Sequence, residues 1–221
     1  MDVKLIYDRL ENEFGFQSWW PRFEEGKFVY DESNKDKPLS SKQKFIICIS
    51  AILTQNTSWK NVEKAIKNLE KFNFLSKEEI KQINENELGE LIKSSGYYKQ
   101  KAKKLKKIIE FLDSGKEINR ENLLEIWGIG KETADSILLY AYNKPLFVID
   151  AYTKRIMLRL SFRFKDYDEL QEIFMKNLPR DYKLFNEFHA LFVRLGKEYC
   201  KKIPICEECC LRKECKYKKV N

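Results

Sequence analysis

Three groups of residues in this chain could do chemistry. The first is Gly128-Ile129-Gly130, followed at once by Lys131-Glu132-Thr133-Ala134-Asp135. Glycine reaches backbone angles that side chains forbid, so both glycines are expected to help the chain reverse tightly between two helices with its amides exposed. Unpaired N–H groups at the positive end of a helix dipole suit a phosphate. The second is Asp150, which ends the apolar run Leu146-Phe147-Val148-Ile149 about twenty residues beyond Gly130. A carboxylate held near a phosphate grip is a device for chemistry on a nucleic-acid backbone, although Asp150 can also cap a helix that begins at Ala151. The third is Cys200, Cys206, Cys209 and Cys215, spaced C-x5-C-x2-C-x5-C, with Cys210 beside the third. No signal-like segment is seen, so the expectation is a cytoplasmic chain whose thiols stay reduced. Four close thiolates can surround one metal centre. Tetrahedral zinc and a cubane iron–sulfur cluster both accept four cysteines, and spacing alone does not choose between them.

The elements that must carry these groups read as helices almost throughout. Val3, Ile6, Leu10 and Phe14 recur at intervals of three and four, which predicts a helix over 3–14. Ser40 with Gln43 forms a capping box for an apolar helix over 41–53. Further helices are expected over 58–72, from Ser76 through Ile83, over 86–93 and over 98–112, the last with a dense lysine face. Helices at 120–126, 131–142, 150–160, 167–177 and 182–198 complete the pattern, with a polar loop over 31–40 and no strand pairing. At 221 residues the chain can bury a real core, and 43% hydrophobic content argues against disorder. Its apolar runs are too short to cross a membrane. A formal charge of +8, from 42 basic and 34 acidic side chains, suits a site-specific polyanion binder.

The string Leu-x-x-Ile-Trp-Gly-Ile-Gly-Lys-Glu-Thr-Ala-Asp over 123–135, followed by Val148-Ile149-Asp150, resembles the helix-hairpin-helix motif and catalytic aspartate of the endonuclease III superfamily of DNA glycosylases. That resemblance implies an all-α, two-lobed fold. A six-helix lobe over 38–147 would end in the hairpin. Residues 1–37 and 148–221 would form the other lobe, and an extruded nucleotide would sit in the cleft between the two. It also implies a [4Fe-4S] cluster in the loop 200–215, held by Cys200, Cys206, Cys209 and Cys215, with Cys210 a bystander. The first gap is one residue shorter than the family's C-x6-C-x2-C-x5-C. By the same analogy Lys201, Lys202, Arg212 and Lys213 face DNA, and Lys218 lies in the segment that closes the loop.

The resemblance assigns DNA contacts to Gly128, Ile129, Gly130, Lys131 and Thr133. Gln55 matches a gap-filling glutamine, and Tyr97, in Ser95-Gly96-Tyr97-Tyr98, replaces a wedge leucine. Trp59 and Tyr152, with Trp19 and Trp20, are candidate pocket walls, and the single histidine, His189, is a packed or pocket-lining residue. Asp150 would stabilise the sugar cation left by the departing base. Bifunctional members place a lysine nucleophile where this chain has Glu132, which cannot form an imine. Lys131 lies one residue early, about 100° around a helix. The expectation is therefore a monofunctional glycosylase, with Glu132 either lining the pocket or simply a first-turn glutamate favoured by the helix dipole. The segment Ile52 to Val62, taken with the hairpin, is similar to the 3-methyladenine glycosylase branch, so an alkylated purine is the favoured substrate. The alternatives are uracil, or thymine opposite guanine, and, in another class, a noncatalytic DNA-binding protein with a structural metal. The expected partner is double-stranded DNA carrying a damaged base, bound by a monomer.

Overall fold

Apolar spacing and caps fix most of the helices of this protein, as seen in a computed structural model that describes residues 2–34 and 37–217. Of the expected polar loop, Lys35 and Asp36 lie outside the described residues, as does Lys218. The helices are α1 (Val3–Phe14), α2 (Ser41–Leu53), α3 (Trp59–Lys71), α4 (Lys77–Gln82), α5 (Glu85–Leu91), α6 (Tyr98–Asp113), α7 (Arg120–Leu124), α8 (Lys131–Tyr142), α9 (Ala151–Arg159), α10 (Tyr167–Asn177) and α11 (Tyr182–Glu198). Short 3-10 turns cover Glu32–Asn34 and Lys93–Ser95. No helix among the described residues is long and apolar enough to cross a membrane.

The expectation of no strand pairing is wrong at one place. β1 (Arg22–Glu24) and β2 (Lys27–Val29) pair antiparallel, Phe23 opposite Phe28. Glu25 and Gly26 both take positive φ, 48° and 76°, which is the mirror-image turn that suits the twist of a two-residue hairpin. Strands of three residues are too short for alternation to stand out. The two phenylalanines, five positions apart around a Glu-Gly turn, were the available signal.

The described residues fall into two compact units, one from 2–19 with 143–217 and one from 20–34 with 37–142. Residues 20–34 and 37 group with the central helices. Gln43 holds them there: its Oε1 accepts the Phe23 N–H at 3.1 Å and its Nε2 donates to Phe23 O at 2.8 Å. That use also alters the expected capping box. Ser40 accepts from the Gln43 N–H at 3.2 Å, but the Gln43 side chain turns to β1 instead of back to Ser40. Within this unit α2 is buried on every side from Phe45 to Leu53, and α3, α6 and α8 pack around it.

The other unit is built on aromatic packing. Phe147 stacks on Phe174 with centroids 3.8 Å apart, and Phe188 stacks on Phe192 at 4.7 Å. Phe147, Val148 and Ile149 are buried in the segment between α8 and α9. Two side chains of α10 satisfy its backbone, Gln171 donating to Phe147 O at 2.7 Å and Tyr167 Oη accepting the Ile149 N–H at 3.3 Å. This anchoring fixes where Asp150 emerges.

Candidate functional site

The glycine turn joins α7 to α8, and a buried ion pair clamps the two helices. Arg120 donates from Nε to Asp135 Oδ1 at 2.8 Å and from Nη2 to Oδ2 at 3.3 Å, and the Asp135 side chain is fully buried. Sequence reasoning quoted Asp135 as part of the motif but gave it no role. Its place among the apolar positions of α8 was the available signal. Only Gly128 takes the left-handed backbone expected of both glycines, with φ 83°. Gly130 does not, and a Cβ placed on it would meet nothing within 4 Å, so the surface there is open to close approach. Ile126 and Ile129 point into the core. Lys131 and Glu132 are exposed, whereas Ile129 and Thr133 are buried, so those two can reach a phosphate only through their amides. Glu132 O accepts from Ser136 Oγ at 2.7 Å.

Gln55 is drawn onto this turn. Its Nε2 donates to Thr133 Oγ1 at 2.8 Å and to Gly128 O at 3.3 Å, while Lys104 Nζ donates to its Oε1 at 2.6 Å. The exposed tip of that loop is the next residue, Asn56, with φ 54°. Asparagine tolerates this conformation better than most residues, so its side chain is the one presented. Tyr97 is presented in the same way: it follows Gly96, takes φ 46° and is 68% exposed. The loops bearing Gln55 and Tyr97 are joined by Lys101. This lysine is 1% exposed and donates to Leu53 O at 2.8 Å and Ser95 O at 2.6 Å. Burial, reinforced by Lys104, pushes its ammonium down to about 8. Lys104 is also lowered by burial. Trp59 belongs to an aromatic cluster: its Nε1 donates to Tyr30 Oη at 2.6 Å, and its ring lies edge-on to Trp20 and Phe28.

In the other unit Asp150 is the N-cap of α9. Its Oδ1 accepts from the Thr153 N–H at 2.7 Å and from Thr153 Oγ1 at 2.9 Å. Oδ2 is turned to His189 Nε2 at 3.7 Å, with the Asp150 side chain 13% exposed and that of His189 9%. Burial lowers the imidazole below its usual range and the nearby carboxylate only partly opposes this, so His189 is neutral at neutral pH. Both chemical readings of Asp150 are thus compatible, because one oxygen caps and the other is turned toward the histidine. Tyr152 packs on α11, its ring occupying the space a Gly196 Cβ would need and lying 5.1 Å from the Arg155 guanidinium. It is a packing residue between helices as well as a candidate wall.

The four cysteines line one cavity of about 200 Å³, together with Arg159, Arg212, Tyr199 and Tyr217. Among the described residues no group of three or more histidines, cysteines or carboxylates stands at the spacing a metal ion requires. Two arginines of α9 hold the loop. Arg155 donates to Cys200 O at 2.8 Å and Gly196 O at 3.1 Å. Arg159 donates to Lys201 O at 2.7 Å and Lys202 O at 3.0 Å, and reaches Cys200 Sγ at 3.1 Å. Cys210, expected to be a bystander, lies beside Cys209 and brings that thiol down to about 7, while its own is pushed up. Burial, and then the other three cysteines, raises Cys215.

Comparison with known proteins gives consistent matches. Residues 49–180, more than half of the chain, match the HhH-GPD superfamily base excision DNA repair protein family. A Methanocaldococcus jannaschii protein, provisionally named a DNA repair glycosylase, is 40% identical over 228 aligned positions, covering 96% of this chain and 95% of its own. Endonuclease III of Thermotoga maritima is 33% identical over 179 positions, 78% of this chain and 83% of its own. Among solved structures, the H. pylori 3-methyladenine DNA glycosylase bound to 1,N6-ethenoadenine superposes with TM-score 0.74 at 27% identity, covering 90% of this chain and 98% of that one. A non-covalent endonuclease III–DNA complex superposes with TM-score 0.78 at 21% identity, covering 97% and 94%, and shares the fold.

Proposed function

This chain belongs to the HhH-GPD superfamily of base excision DNA repair proteins, and within it we propose that the protein is a monofunctional DNA glycosylase that hydrolyses the N-glycosidic bond of an alkylated purine in double-stranded DNA. The observation that carries the reading is the divided role of Asp150, one oxygen bound by Thr153 and the other directed to a neutral histidine. A carboxylate oriented in this way can oppose the positive charge that develops on the deoxyribose as the base leaves, and can orient the attacking water. The backbone of the Gly128–Gly130 turn and Lys131 grip a phosphate, while Asn56, positioned by Gln55, and Tyr97 supply the side chains that fill the gap left by an extruded nucleotide. Glu132 takes the place of the lysine that gives bifunctional relatives their lyase step, so no imine forms. An alkylated purine is cationic and leaves readily, which lowers the demand for acid catalysis. The similarity to the H. pylori 3-methyladenine glycosylase over nearly all of that chain supports this substrate class.

The same reading places a [4Fe-4S] cluster on Cys200, Cys206, Cys209 and Cys215. The donor set fits: four thiols face one cavity, and Arg159 offsets thiolate charge at Cys200. The bound cluster would stiffen the loop 200–215 and supply no step of base release.

One experiment tests the assignment. Duplexes bearing 3-methyladenine, uracil, a thymine mismatch or an oxidised base are incubated with purified protein and analysed before and after alkali. Free 3-methyladenine with strands intact until alkali is the expected result. Strand breaks before alkali, with a borohydride-trapped adduct, would overturn the monofunctional mechanism, and release of a different base would overturn the substrate.

A further inference from the structure

The largest apolar side chain in the hairpin is not in the core. Trp127, immediately before the glycine turn, is 51% exposed, while Ile126 and Ile129 on either side are buried. Lys103 of α6 holds its ammonium 4.6 Å from the centre of the Trp127 ring. Of the other lysines of α6, Lys101 is committed to backbone carbonyls, Lys104 to Gln55 and Lys107 to Glu110, while Lys99 is exposed at the start of the helix. Lys103 is exposed and makes no ion pair with a described residue. An unneutralised cation is therefore seated on an aromatic face at the edge of a turn whose Gly130 is open to close approach.

Resting on the DNA-repair reading above, we propose that Trp127 and Lys103 form a preformed clamp for the DNA backbone. Lys103 takes the phosphate next to the one gripped by the Gly128–Gly130 turn, and Trp127 is the platform that fixes it. The aromatic face favours an ammonium electrostatically and limits its rotamers before DNA arrives, so less freedom is lost on binding. Trp127 is a positioning residue in this scheme, and Lys103 is the one that touches the ligand. The glycine turn reads the backbone through amides alone; the clamp adds a counter-charge that amides lack.

The test measures fluorescence anisotropy of a labelled duplex carrying a tetrahydrofuran abasic-site analogue, which cannot be turned over, across a salt series. Lys103→Gln should reduce the slope of log affinity against log salt by about 0.9 and weaken binding several-fold at low salt, as loss of one phosphate contact does. Trp127→Ala should weaken binding to a similar extent, Trp127→Phe much less, and the double variant Lys103→Gln/Trp127→Ala should bind no worse than Lys103→Gln alone. Thermal unfolding of each variant should match the wild type, because both side chains are exposed. An unchanged slope in Lys103→Gln overturns the proposal, as do fully additive losses in the double variant. Failure of the wild-type protein to bind this duplex would overturn the DNA-repair reading as well, so the two failures are distinguishable.

Discussion

Replacing Asp150 separates its two jobs, because the structure assigns them to different oxygens. Asp150→Ala removes both bonds that Thr153 makes to Oδ1. Loss of an N-cap costs about 0.5–2 kcal/mol, and stranding the hydroxyl of a fully buried threonine adds to it, so about 1–3 kcal/mol is expected in total. In a chain of this size that lowers the melting temperature by about 2–4 °C for each kcal/mol. Asp150→Asn keeps an acceptor at the same place, and asparagine caps as well as aspartate, so stability should change little. Catalysis should not be spared, since the amide carries no charge to set against a sugar cation. Base release should fall by about 10²–10⁴-fold in both variants, the span typical for a positioned acid–base group. Thermal melts and single-turnover release of free base, measured on the same preparations, read the two effects separately. The reasoning fails if Asp150→Asn stays within tenfold of the wild type, or if Asp150→Ala regains full activity at a temperature where it is folded.

Three further outcomes follow from particular contacts. Lys101 is held near 8 in the native protein and lies near 10.5 in the unfolded chain. Between those values the unfolded chain binds a proton that the native chain does not, so stability contributed at this site rises with pH from about 8 to about 10.5. Lys101→Met should remove that rise in urea midpoints across the range, and should cost about 1–3 kcal/mol at pH 7 by leaving the Leu53 and Ser95 carbonyls without their donor. Arg120→Met leaves the Asp135 carboxylate buried without its bidentate partner and should destabilise the protein by about 3–5 kcal/mol in chemical denaturation. Glu132→Lys places an amine at an exposed first-turn position, so melting should fall slightly, since the helix dipole disfavours a cation there, while borohydride trapping on an alkylated duplex becomes detectable.

α1 was legible because its one buried face repeats at the helical interval, and α2 because Ser40 caps an unbroken apolar run; both begin and end where spacing and caps put them. The C-terminal cysteine group was legible because its members lie close in sequence and line one cavity. Contacts between distant segments carried no such sign. Gln43 reads as half of a capping box, yet its amide serves β1, twenty residues earlier. Gln55 reads as a gap-filling glutamine, yet three bonds draw it onto the hairpin and leave Asn56 at the tip. Trp127 reads as one more apolar residue of a helix end, and only its exposure sets it apart. In each case the sequence specifies which groups can bond, and long-range packing decides which partner they meet.

The lysine face of α6 shows what this means for function. A run of lysines on one side of a helix reads as a solvated surface that adds to the +8 charge. Here its members do different work. Lys101 and Lys106 turn inward onto backbone carbonyls at the ends of α2 and α4, the electronegative ends of those helices. Lys104 fixes Gln55, Lys107 is paired with Glu110, Lys99 is exposed at the start of the helix, and Lys103 remains available on Trp127. Formal charge therefore overstates the cations this helix can offer to phosphate, because several of them already neutralise the partial charges of the protein's own backbone. A salt slope proportional to the number of lysines on α6 would contradict that partition. A slope that loses one unit of contact at Lys103, with Lys101 and Lys106 acting on stability instead, is what the hydrogen bonds require.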